Sequence, residues 1–140
     1  MSILTPIQIR FSDVDLGRHV HNAAYLQYFE LGRMELLRQV VGPDHDWVKT
    51  GLILARNEIN YRLPIHLADQ ISVETRCLKV GTKSFDLGYT VFTMRNGKRH
   101  IHADGLSVMV CFDYTTQQSM AVPDAWRTAL ERMINETQEP

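Results

Sequence analysis

The chain has 140 residues, 44% of them hydrophobic and 22% charged, with 15 basic against 16 acidic side chains and a formal charge of -1. That length fits one domain over residues 1–140, able to bury roughly 68–70% of the surface its unfolded chain exposes. The balanced charge excludes a global footprint for nucleic acid or for an anionic membrane, so any anionic ligand has to be held by a local cluster. No window reaches ~18 apolar residues and no basic segment leads into a long apolar run, so neither a spanning helix nor a signal peptide is expected and the chain reads as cytoplasmic. The two cysteines, Cys77 and Cys111, lie in apolar, strand-like runs and read as buried, reduced thiols.

In chain order, residues 7–11 alternate apolar and polar (Ile7, Ile9 and Phe11 on one side) and predict a short strand that begins after Pro6. Residues 22–41 change period. Tyr25, Phe29, Gly32, Leu36 and Val40 recur at helical spacing, which predicts a long helix with one apolar face, N-capped by Asn22 and ended by Gly42-Pro43. Gly32 costs that helix roughly 1 kcal/mol of propensity against alanine, tolerable where another backbone approaches closely. From Leu52 the period is two: residues 52–63, 70–80, 84–95 and 99–114 read as four strands, with Asn96-Gly97 as a two-residue hairpin turn. Residues 123–134 close the chain as a short helix with Pro123 near its first turn. One strand, a long helix and a four-stranded meander predict an α+β fold in which the helix packs on one side of the sheet. The strands are long for so small a chain, and a second copy covering an exposed face or edge predicts a homodimer or homotetramer.

The chemistry concentrates in residues 11–26. Asp13, Asp15, His19, His21 and Asn22 fall within ten residues, immediately before the helix. A carboxylate beside a helix N-terminus can act together with backbone N–H groups aimed at a developing oxyanion, which suits attack on a carbonyl carbon. From the residues alone, Asp15 also reads as a turn acid, Asp13 as an acid that ties down loop amides, and Glu30 with Arg33 as an exposed helix pair. His19-x-His21 and His100-x-His102 have spacing that a metal can use, but no cysteine is placed with them, and no metal is expected.

The same segment carries a resemblance. Asp13-Val14-Asp15, His19-Val20-His21-Asn22, Tyr25-Leu26 and Phe29-Glu30-Leu31-Gly32-Arg33 stand in the order found in the 4-hydroxybenzoyl-CoA thioesterase-like family of hot-dog acyl-CoA thioesterases. Tyr61-Arg62-Leu63-Pro64 followed by Asp69, then Ala103-Asp104-Gly105 and Val122-Pro123, continue it along nearly the whole chain. There are two departures. The family usually places Gly directly before the first His, where this chain has Arg18, and His21 stands in place of the first Asn of a pair.

The resemblance implies a hot-dog fold and hydrolysis of an acyl-CoA thioester to acid and free CoA, without a cofactor. It implies Asp15 as the catalytic carboxylate and the backbone N–H of Asn22 or Ala23 as the oxyanion site. His19 and Asp13 then support the site, Tyr25 contacts the acyl group, and Lys83 and Ser84 beside the Gly81-Thr82 turn contact the nucleotide. Whether Asp15 activates water or attacks the carbonyl itself stays open. Two other readings also stay open: a thioesterase for acyl-carrier-protein, and a module that binds acyl-CoA without turning it over. A hot-dog hydratase ranks low, because those enzymes resemble one another in a His five places after the Asp, and Val20 stands there.

Overall fold

A computed structural model describes residues 1–138. The elements run β1 (Ile3–Ile7), a short 3-10 turn (Phe11–Asp13), α1 (Asn22–Val41), β2 (Gly51–Tyr61), β3 (Ile71–Val80), β4 (Ser84–Arg95), β5 (Lys98–Asp113), β6 (Gln118–Ser119) and α2 (Asp124–Gln138). All strands join one antiparallel sheet in the order β1-β3-β4-β5-β2, with β6 added to β5.

The helical spacing of residues 22–41 places Tyr25, Phe29, Gly32, Leu36 and Val40 on one buried face, and all five are buried. They meet the inward residues of β4, where Phe85, Leu87, Tyr89 and Val91 are completely buried. Each large side chain sealed this way is worth about 1.5–3 kcal/mol. Gly32 is required by close approach: a Cβ there would overlap Thr75 Oγ1 and lie 3.0 Å from Val73 Cγ1. α1 packs against β1, β3 and β4, and its Phe29 reaches Gly105 of β5. Among the described residues no helix is long and apolar enough to cross a membrane. Cys77 and Cys111 are free and buried, and burial pushes their thiols up to about 12 and about 11.

The turns follow local chemistry. Asn96 and Gly97 take φ of 53° and 74°, the pair of left-handed residues a tight hairpin needs. Three expectations need correction. The first strand covers Ile3–Ile7, not residues 7–11, because β1 pairs with β3 from Ile3↔Thr75 to Ile7↔Ile71. The chain then leaves the sheet where the Asp13 carboxylate captures the Arg10 N–H, and Phe11 ends up exposed. β2 stops at Tyr61, two residues early, because the Arg62 and Leu63 amides both turn to the carbonyl of His102. The helix N-cap is His21 rather than Asn22: the His21 N–H donates to the Asp13 carbonyl, which holds His21 extended and makes Asn22 the first helical residue.

Candidate active site

Between β1 and α1 the chain builds a rigid loop around Asp15. Asp13 anchors it from beneath. Its carboxylate is buried, and Oδ2 accepts from the Arg10 amide at 3.0 Å and from the Tyr28 hydroxyl at 2.8 Å. Tyr28 belongs to the second turn of α1, so this bond fastens the loop to the helix. Burial, with the Asp13 carboxylate second, pushes the Tyr28 phenol well above its ordinary value and keeps it a neutral donor. Val14 and Val20 bridge the two arms of the loop, the Asp15 amide donates to the His19 carbonyl at 2.9 Å, and the Val20 amide donates to Ile65 at 2.8 Å. Arg18 takes φ of 64° at the tip. That left-handed backbone is the physical reason a glycine suits the position, and an arginine holds it at a cost of roughly 1–3 kcal/mol.

Asp15 itself is exposed at the mouth of a cleft. Its Oδ1 accepts from the Gly17 amide at 2.8 Å and the His19 amide at 3.3 Å. Its Oδ2 takes part in no hydrogen bond among the described residues. One oxygen is therefore fixed and the other is free to meet a proton or a carbon.

The cleft, about 310 Å³, is lined by Asp15, His19, Val20, Asn22, Tyr25 and the run Tyr61-Arg62-Leu63-Pro64. The N-terminus of α1 opens onto it. His21 makes no side-chain capping bond, and the Asn22 and Ala23 amides precede the first intrahelical acceptors, so both retain an unspent donor. Asn22 lines the cleft; Ala23 follows it in the same turn but is not part of the lining. Tyr25 is buried with its ring edge-on to Tyr61 at 5.0 Å, and burial, then Tyr61, pushes its phenol up. The Tyr61 hydroxyl donates to the Asn22 carbonyl at 3.2 Å, tying the end of β2 to the start of α1.

The His19 ring lies edge-on to His66 at 4.9 Å. His66 faces Asp69, whose partial burial is outweighed by the His66 amide and the Arg95 guanidinium, so the Asp69 carboxyl titrates below the usual range. A second groove of about 540 Å³, mostly apolar, begins on the other side of Asp15 between Phe11, Leu16 and Leu67.

The loop thus brings Asp13, Asp15, His19, Asn22 and Tyr25 together, with Ala23 adjacent. Lys83 and Ser84 are elsewhere. Ser84 opens β4, with Lys83 just before it, seven positions from Val91, whose β5 partner Ala103 also pairs with Tyr61 at the cleft. That separation is about 23 Å along the strand. Lys83 Nζ reaches Ser119 there, at 3.5 Å. Arg33 does not pair with Glu30 but turns inward, where its guanidinium donates to the Tyr89 hydroxyl at 3.2 Å.

The second wall is the Tyr61-to-Pro64 motif: Tyr61 reads from sequence as one of several aromatics that could set the depth of an acyl pocket, and Arg62, Leu63 and Pro64, which form no titratable cluster, drew no chemical role. His102 holds that wall. Its ring is buried with Nδ1 3.1 Å from the Pro64 carbonyl and Nε2 3.1 Å from Thr93 Oγ1, and burial lowers its pKa. It serves the wall rather than a metal.

The loop, the helix start without a side-chain capping bond and the sheet wrapped on α1 define a class, and comparison with known proteins agrees. The thioesterase-like superfamily profile matches residues 9–130, and the chain belongs to that family. Its α+β architecture is the hot-dog fold. The long-chain acyl-CoA thioesterase FadM of Escherichia coli strain K12 is 29% identical over 133 residues, covering 93% of this chain and 98% of that protein. A thioesterase of Thermus thermophilus, solved with coenzyme A and Zn, superposes with a TM-score of 0.78 at 29% identity, covering 98% of this chain and 95% of that one. 4-Hydroxybenzoyl-CoA thioesterase bound to 4-hydroxybenzoyl-CoA shares the fold, with a TM-score of 0.83 at 14% identity over 92% of this chain and 98% of that one.

Proposed function

We propose that the protein is a cytoplasmic acyl-CoA thioesterase in which Asp15 is the reacting carboxylate. The observation that carries this is the asymmetry of Asp15: one oxygen is pinned by two amides and the other is free, beside a helix start whose N-cap, His21, makes no side-chain capping bond. The substrate carbonyl lies against the Asn22 and Ala23 amides. Asp15 Oδ2 either takes a proton from water, so that hydroxide adds to the carbonyl carbon, or adds itself to form an anhydride that water cleaves. In both routes the negative charge gathers on the carbonyl oxygen, faces those amides, and leaves with the thiolate of CoA as the C–S bond breaks. No cofactor takes part.

His19 borders the thioester and Asp13 keeps the loop in place. Tyr25 forms the apolar wall for the first carbons of the acyl group. FadM is named for long-chain acyl-CoA, and the same substrate class is the first to try here. Lys83 and Ser84 hold the nucleotide phosphates of the substrate bound in a second copy, because a homodimer is the arrangement that returns them to a cleft. Lys83→Ala is then expected to raise KM for acyl-CoA several-fold and leave kcat unchanged.

The test is release of free thiol from short, medium, long and aromatic acyl-CoAs. Turnover of any of these supports the reading. No turnover, with tight binding of the same compounds, would make the protein a binding module; turnover only of acyl-carrier-protein thioesters would move the substrate.

A further inference from the structure

The bond from the Val20 amide to the Ile65 carbonyl lays the Asp15 loop beside the turn that follows the second wall. It brings their chain neighbours, His19 and His66, into contact. The backbone of His19 is fixed against Asp15 on both sides. Its carbonyl accepts from the Asp15 amide at 2.9 Å, and its amide donates to Asp15 Oδ1 at 3.3 Å. Its side chain is exposed and lines the cleft, and neither ring nitrogen takes part in a hydrogen bond among the described residues. An exposed imidazole on a fixed backbone still has two free torsions, so something has to hold the ring if it is to act at one place on a substrate.

The ring meets His66. The two imidazoles stand edge to face, with centroids 4.9 Å apart and planes at 86°. His66 is itself anchored. Its amide donates to Asp69 Oδ2 at 2.8 Å, its Nδ1 lies 3.6 Å from the same oxygen, and the Asp69 amide donates back to the His66 carbonyl at 3.0 Å. The other Asp69 oxygen accepts from the Arg95 guanidinium at 3.1 Å, which ties the turn to the end of β4. A chain of contacts therefore runs from Arg95 through Asp69 and His66 to His19 at the cleft. The remaining charged groups beside His66 are Asp15 and Arg18, which line the second groove with it.

The reaction gives that chain a task. When a thioester C–S bond breaks, the electron pair goes to sulfur, and an alkyl thiolate leaves more readily if it takes a proton as it departs. Asp15 and the helix amides serve the carbonyl carbon and oxygen, which leaves the sulfur without a protein partner. Among the other cleft side chains that carry a proton, Tyr61 is engaged by the Asn22 carbonyl, Tyr25 by the Ile65 backbone and Arg62 by Asp104. His19 remains.

We propose that His66 is a positioning residue for this reaction: anchored by Asp69, it holds the His19 imidazole over the Asp15 cleft, where His19 passes a proton to the departing sulfur. The water consumed in each turnover returns that proton to His19, so the products are the acid and the free thiol, with no further reactant. The proposal rests on the reading of the cleft as the thioester site, and it goes beyond that reading by naming the donor to the leaving group and the residue that aims it.

The experiment measures thiol release by wild type, His66→Ala, His19→Ala and the double variant. His66→Ala is expected to lower kcat about tenfold, part of the ~10²–10⁴ that a placed proton donor supplies, with KM within about twofold. Made in the His19→Ala chain, the same change should have no further effect, because His66 acts through His19. With a thiophenol ester of the same acid, whose thiolate leaves without help, the loss should shrink to about twofold or less. His66→Gln keeps a donor for Asp69 but has no ring, and should fall as far as His66→Ala. Wild-type turnover by both His66 variants, an equal loss with and without His19, or an equal loss for both leaving groups would overturn the proposal.

The His19 ring-proton resonances, identified by their disappearance in His19→Ala, give a readout independent of turnover. They should shift in His66→Ala, and unmoved resonances would overturn the contact. Absence of thiol release by wild type from any acyl-CoA would count against the thioesterase reading, while the resonances still judge the placement of His19.

Discussion

The two acids of the Asp13-Val14-Asp15 run divide a task that neither could do alone. Asp13 is buried, its Oδ2 held by the Arg10 amide and the Tyr28 hydroxyl; Asp15 is exposed, its Oδ1 held by the Gly17 and His19 amides; one residue separates them. The bond from Tyr28 to Asp13 is a hydrogen bond to a charged acceptor, worth about 1.5–3 kcal/mol. Tyr28→Phe is expected to lower the unfolding free energy by that amount in urea titrations. In kinetics it should reduce kcat while leaving KM within twofold or so, because the loop that aims Asp15 loosens but the cleft walls stay. Asp13→Asn, which keeps an acceptor oxygen, should lose less than Asp13→Ala.

His102 makes a separate prediction about pH. Burial depresses its folded pKa below its ordinary value of 6.5, so it folds neutral and the unfolded chain binds the extra proton. Its contribution is present above pH 6.5 and is lost as pH falls through the folded value. Thermal melts between pH 7.5 and pH 5 should show this loss, and His102→Gln should flatten it.

At the scale of elements, the sequence was legible wherever one local pattern had no rival. The helical spacing of Tyr25, Phe29, Leu36 and Val40 fixed the buried face of α1, and Asn96-Gly97 fixed the β4–β5 turn. Gly32 was legible as a close contact but its partner was not, because Thr75 and Val73 lie over forty residues away in sequence. Gly32→Ala should destabilise by about 1–3 kcal/mol, since a methyl there meets β-branched side chains of a strand that cannot retreat. Denaturant midpoints measure it directly.

The misread boundaries share a cause: each was decided by a hydrogen bond or strand pairing that the residue pattern does not announce. Alternation continues from Ile7 through Ile9, so the limit of β1 depends on its pairing with β3 and on the capture of the Arg10 amide by Asp13. Asn22 is the better capping residue by type, yet the Asp13 carbonyl selects His21. β6 is two residues paired to Phe112 and Asp113, too short to leave a period.

For the whole molecule, the sheet sets what belongs together. It brings the loop, the start of α1 and the end of β2 to one place, and it sends Lys83 to the far end of β4. Spacing along the chain carried the first grouping, because residues 13–25 are local. It could not carry the second, because the position of the Gly81-Thr82 turn relative to Asp15 is a property of strand length and register. The same reasoning applies to Tyr61, which reaches the site only because β2 is long enough to deliver it there. The site is therefore built from one local segment and one remote wall, and the local segment holds the reacting group.

The most direct measurement is thiol release from acyl-CoA by wild type and Asp15→Asn, compared at matched folded concentration by circular dichroism. The account predicts turnover by wild type and a fall in kcat of at least about a hundredfold for the variant, since the amide keeps the bonds from Gly17 and His19 but can neither take a proton nor attack. A folded Asp15→Asn protein that releases CoA at the wild-type rate would contradict the central claim.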